Sequence, residues 1–194
     1  MIVMFIFTVE GIILFFLIRF VYSMLRAFFI KRETLSKLNA LCKRKGYKTE
    51  RHRGMLSTML TMPKKTDMTV RTPEKEYRIR FITCRYRFKS YHFATVEHIV
   101  TWFPQVIKMI SKKSDSFYKI FTSYRYCPRL RINESEDERV ENILIFDPSP
   151  LELTKANEHG FHIPVEDGDK IGPYTAYRAK AFLEMLSTSV QSIE

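Results

Sequence analysis

Apolar positions crowd the start of the chain and then give way to shorter periodic runs. From residue 1 to Ile18 only Thr8 and Glu10 interrupt them, and Arg19 opens a second stretch, Phe20 to Ile30, broken by Ser23 and Arg26. A bilayer core about 30 Å thick is crossed by roughly 17–25 apolar residues in a helix. Residues 1 to about 22 therefore predict a membrane-spanning helix if Arg19 snorkels to the headgroups. Phe, Ile, Leu and Met cover every side of the first 18 residues, unlike the single stripe of a buried amphipathic helix. Arg19, Ser23 and Arg26 share one face at i, i+4 and i+7, so an interfacial helix is the rival reading. A mixed form is natural, inserted over 1–18 and amphipathic over 19–30. No Lys or Arg precedes the apolar run and no small-x-small site follows it, as a cleaved signal peptide would need.

Beyond residue 30 the pattern predicts one α/β domain over 31–194, with α+β as the variant. Its central strands fall at 67–71, 76–88, 90–95 and 142–146, flanked by helices. Leu35, Leu38, Leu41 and Cys42 recur at helical spacing ahead of Gly46, giving a helix over Glu33 to Lys45. Thr72-Pro73-Glu74-Lys75 is the turn of a hairpin between the first two strands. From Tyr77 to Phe81 the apolar set is odd-numbered, and from Ile82 to Phe88 it is even-numbered. A bulge near Phe81-Ile82 would keep both sets inward. Val96, Ile99, Val100 and Phe103 predict a helix that Pro104 kinks before Val106, Ile107 and Ile110, and Ser114 caps another containing Phe117, Ile120, Phe121 and Tyr124. Asn142 to Phe146 reads as a short buried strand, and Ala179 to Val190 as a terminal helix.

Charge changes the picture. Residues 31–131 hold 25 Lys or Arg against 7 Asp or Glu, a net of +18, whereas residues 132–194 hold 5 against 13, a net of −8. Nine of the cations fall between Lys31 and Arg53. The positive-inside rule then places the N-terminus outside and the C-terminal domain in the cytoplasm of a single-pass cell-membrane protein. Cys42, Cys84 and Cys127 are an odd set without framework spacing, consistent with a reducing compartment or with plain core residues. The basic two thirds call for an anionic partner, either lipid headgroups or nucleic acid. Glu10 within the apolar stretch, followed by Gly11, points to self-association or a membrane partner, or to a carboxylate that is protonated or close to the outer interface.

Candidate binding residues follow from these patterns. Lys43, Arg44 and Lys45, with Arg78, Arg80, Arg85, Arg87 and Lys89 along one strand face, form cationic sets suited to phosphates or headgroups, and Tyr91, His92 and Phe93 offer rings for stacking. A solvated face whose cations block edge pairing accounts for the same strand. His159 and His162 could ligate a metal from a loop, or stand as exposed loop histidines. No GxSxG, HExxH, P-loop or CxxC motif is present.

The order helix, strand, hairpin strand, strand, helix, strand over residues 33–147, with Asp67 in Thr66-Asp67-Met68 and Glu76-Tyr77-Arg78 across the turn, resembles the restriction-endonuclease-like fold. The resemblance implies that Asp67 and Glu76 hold Mg or Mn for phosphodiester attack. It puts Arg78 where the family has lysine, and a guanidinium binds phosphate but is a poor base. The expectation is therefore a membrane-anchored, non-enzymatic docking or scaffolding module without a cofactor. The alternative is a tethered nucleic-acid binder or metal-dependent nuclease.

Overall fold

A computed structural model describes residues 2–52, 66–83, 89–96, 98–102, 123–126 and 137–188. It is a mixed α/β structure with two sheets. Helix α1 runs without interruption over Ile2–Arg44, 43 residues, so the expected helix over Glu33 to Lys45 is the last part of one long helix. Its end is a Schellman turn: Gly46 has φ 72°, its N–H donates to Lys43 O, and Tyr47 N–H donates to Cys42 O at 2.9 Å.

Strands β1 (Lys48–Arg51), β2 (Met68–Arg71) and β3 (Glu76–Ile82) form an antiparallel meander. Parallel to β3 lies β7 (Val140–Phe146), and parallel to β7 lies β11 (Tyr174–Arg178), which pairs with β10 (Lys170–Ile171). The first sheet thus has the order β1-β2-β3-β7-β11-β10. The second has the order β6-β5-β4-β8-β9, from β4 (Ser90–Phe93), β5 (His98–Trp102), β6 (Ser123–Tyr126), β8 (Leu153–Ala156) and β9 (His162–Pro164). Helix α2 (Ala179–Thr188) follows β11.

The first sheet is covered on both faces. On one, Leu35, Leu38 and Cys42 of α1 and Phe182 and Leu186 of α2 pack on Val70, Tyr77, Ile79, Phe81, Ile143 and Ile145. On the other, Tyr91, Phe93, Ile99 and Leu153 of the second sheet pack on Ile82, Leu144, Phe146 and Tyr174. Central parallel strands buried on both faces read as continuous apolar runs, which is why Ile143 to Phe146 shows no alternation.

That double cover corrects two expectations. The β3–β7 register is unbroken from Glu76↔Val140 to Ile82↔Phe146, so no bulge separates Phe81 from Ile82; each simply belongs to a different buried face. The helix expected from Val96 through Phe103 is replaced at His98–Trp102 by β5, which antiparallel partners flank on both sides. The spacing of Val96, Ile99 and Val100 fits a helix, but two β-branched residues in a row favour a strand once neighbours supply the ladder. Residues 103–122, with the rest of the two expected helices, lie outside the described residues, and Tyr124 falls in β6.

No described stretch of any helix is by itself both long and apolar enough to cross a membrane. The side chains at 2–9, 16, 20, 23, 24 and 27 of α1 lie outside the described residues.

Candidate functional site

The exposed half of α1 stands apart from the domain. Ile12, Ile13, Leu14 and Phe15 are 56–60% exposed. Four consecutive helical positions point in four directions about 100° apart, so no side of this segment is reserved for the core. Leu17, Ile18, Val21, Tyr22, Leu25 and Phe29 are exposed as well. Phe28 and Ile30 are half-buried, and full burial is reached along the stripe where Lys31, Thr34, Leu35, Leu38 and Cys42 fall at i, i+3, i+4, i+7 and i+11 and turn onto the sheet.

The first two members of that stripe are polar, and both meet carboxylates at one edge of the sheet. Asp67 precedes β2 and so sits toward the carboxyl end of β3; one of its oxygens accepts Phe81 N–H at 2.9 Å and the other pairs with Lys31 Nζ at 3.3 Å. The Lys31 ammonium also stands 5.4 Å from the Phe81 ring centroid. Asp147 follows the last residue of β7; its N–H donates to Ile82 O, and its carboxylate accepts the Thr34 hydroxyl. Two partly buried contacts therefore fix α1 against the carboxyl ends of β3 and β7. Sequence reasoning missed them, although Lys31 and Thr34 on an otherwise apolar stripe were the signal.

At the other end of the β2–β3 hairpin, Arg71 lies opposite Glu76. Glu76 receives Arg71 Nε and Arg78 Nε, each at 2.9 Å, and these hydrogen bonds hold its carboxyl below the usual glutamate range. Arg71 also reaches Glu50 at 3.4 Å. Glu50, His52, Thr69, Arg71, Glu76 and Arg78 line a groove of about 390 Å³ in which both guanidinium groups already have carboxylate partners. Asp67 and Glu76 are separated by four residues of strand, about 13 Å at ~3.3 Å per residue. They face different partners, so the residues present do not fit a single divalent ion held by both. Among the described residues no group of three or more His, Cys, Asp or Glu is placed to hold a metal.

The expected cationic stripe does not form one surface. Arg80 is 2% exposed, so it belongs to the interior and not to an outer phosphate-binding face. Arg78 is exposed but bound to Glu76. Arg85 and Arg87 lie outside the described residues, as do Cys84 and Cys127. Lys89 stands beside the edge carrying Asp147, its carbonyl accepting Leu151 N–H at 3.1 Å. Lys43, Arg44 and Lys45 occupy the opposite end: α1 runs on into β1, whose Lys48 pairs with Arg71 beside the β2–β3 turn. From Lys31 to Arg44 the helix rises about 20 Å. Glu10 is exposed on α1.

Of the rings proposed for stacking, Tyr91 and Phe93 are core residues. His92 instead lies against His162, centroids 3.7 Å apart and planes 9° apart, and its Nδ1 is 3.0 Å from Thr154 Oγ1. Burial, with His162 adding to it, pushes the His92 pKa below its ordinary value. His159 is exposed in the β8–β9 turn. Cys42 is buried, and burial pushes its thiol up to about 11, so it is an inert core residue. Compared with known proteins, the chain matches no family model, no curated protein and no solved structure.

Proposed function

We propose that this chain is a single-pass membrane protein whose α1 serves both as anchor and as a structural helix of a docking or scaffolding domain. The observation that carries the reading is the contrast within one helix. Its N-terminal part exposes apolar side chains in every direction from Ile12 to Phe15, while its C-terminal part belongs to the core. Large contiguous apolar surface on a monomer marks an interaction site, and a segment apolar all round is matched by lipid. The span itself rests on the sequence from residue 1 to about Tyr22, which has the required length if Arg19 snorkels to the headgroups. Cations after the span set the domain on the cytoplasmic side.

On this reading the cations nearest the span are the ones that meet anionic headgroups. Arg26 and Arg32 follow the apolar segment directly and are exposed, Lys31 between them being held by Asp67, whereas Lys43, Arg44 and Lys45 stand a sheet height further away, beyond the ~8 Å screening length of physiological salt. Glu10 and Gly11, both exposed, remain the places for contact with a second membrane helix. A tethered nuclease has weaker support, because Asp67 is committed to Phe81 N–H and Lys31, and Glu76 to Arg71 and Arg78.

Flotation of the full chain with neutral and anionic phospholipid vesicles tests the reading. It predicts recovery with both, increased by anionic lipid at low salt, and no cleavage of DNA or RNA with magnesium or manganese. Cleavage abolished by Asp67→Ala would overturn docking as the primary function.

A further inference from the structure

We infer that the domain is held in one orientation, with the edge formed by the carboxyl ends of β3 and β7 facing the anionic surface of the bilayer. This rests on the membrane-anchored reading. The clamp at the base of α1 carries it: Lys31 on Asp67 and Thr34 on Asp147 tie the helix to that edge, and α1 continues through it without a linker. A flexible tether would let the domain tumble. A continuous helix packed along the whole height of the sheet does not.

The lengths agree with this placement. A span ending near Tyr22 leaves about nine residues, roughly 14 Å of helix, before Lys31. The headgroup layer takes about 5–7 Å of that, so the edge stands within about one screening length of the charged surface. Three groups on this edge suit such a surface. Arg32 is exposed one residue beyond Lys31; Arg51, exposed, pairs in register with Met68 next to Asp67; and Lys89 adjoins Leu151. Leu151, whose N–H donates to Lys89 O, is 49% exposed in the turn after Asp147 and offers an apolar side chain that can settle into a headgroup layer. The turn carrying Glu74 lies at the opposite end of β3, seven residues or about 23 Å away.

The test places a fluorophore on Leu151→Cys or Glu74→Cys of the full chain in a Cys84→Ser, Cys127→Ser background; buried Cys42 is left in place. The protein is reconstituted in vesicles of phosphatidylcholine with phosphatidylserine that carry a headgroup-linked quencher. Flotation after an alkaline wash is read on the same samples. The expected result is flotation of both, with quenching at position 151 at least about threefold stronger than at 74. Flotation with equal quenching, or with stronger quenching at 74, overturns the orientation while leaving the anchor intact. Failure to float overturns the anchor and the orientation together.

Discussion

Asp67 holds a backbone amide and an ammonium at once, so Asp67→Ala leaves Phe81 N–H buried without its acceptor and Lys31 without its carboxylate. The expected loss is about 2–3 kcal/mol of domain stability, with Asp67→Asn less costly, measured by denaturant titration in mild detergent. Gly172 has φ 56°, and a Cβ there would lie 2.0 Å from Val96 Cγ2. Gly172→Ala must therefore strain the backbone and displace Val96, lowering stability by about 2 kcal/mol or more in the same assay. Glu76 responds to pH in a defined direction. Its folded pKa is depressed by hydrogen bonds from Arg71 and Arg78, so its contribution is present above the unfolded carboxylate pKa and fades as pH falls through the folded one. Glu76→Gln should cost about 1 kcal/mol near pH 7 and little once that carboxylate is protonated, in paired unfolding curves. At this scale the sequence singled out Asp67, Glu76 and Arg78 but not the pairing of Asp67 with Lys31 or of Glu76 with Arg71. Lys31 and Asp147 lie far from Asp67 and Thr34 along the chain, and only the packing of α1 against β3 and β7 brings each pair together.

Elements show where pattern suffices and where it does not. The turn of the β2–β3 hairpin, β7 and α2 were legible because local signals and final environment agree, with a turn at Thr72–Lys75, a continuous apolar run at Ile143 to Phe146 and a helical period from Ala179, but the strand expected over 76–88 ends at Ile82. At β5 they disagree. Val96, Ile99 and Val100 have helical spacing, but β4 and β6 take up the backbone on both sides. The apparent phase change in β3 misled for a related reason, since a two-sided core removes the need for a bulge. For α1, the account divides one helix into two environments. Leu38→Ala should destabilise the domain by about 2–5 kcal/mol, because Leu38 is fully buried. Leu14→Ala should change it by less than about 0.5 kcal/mol, because Leu14 touches none of the core. Thermal unfolding of the two variants in detergent, followed by near-UV circular dichroism, separates them.

For the whole molecule, composition pointed to a cationic part and an acidic part, and the fold interleaves them. From the acidic third, β7 lies beside β3 in the middle of the first sheet and β11 beside β7, and Glu141 of β7 receives Lys75 Nζ at 3.0 Å and the Thr175 hydroxyl at 2.9 Å. At Lys75 and Glu141 the basic and acidic parts thus pair with each other across neighbouring strands, which a linear count does not reveal. The apolar character of the N-terminal segment is a property of its residue types alone and needs no tertiary context. How it joins the domain was not legible, because the helical spacing of Leu35, Leu38, Leu41 and Cys42 does not reveal that the same helix extends back to Ile2. The central claim is that α1 anchors the chain by spanning a bilayer, and alkaline carbonate extraction of membranes containing the full chain tests it most directly. The account predicts that the wild-type chain stays in the membrane pellet while a Leu14→Glu, Leu17→Glu variant is released. Release of the wild-type chain into the supernatant would contradict it.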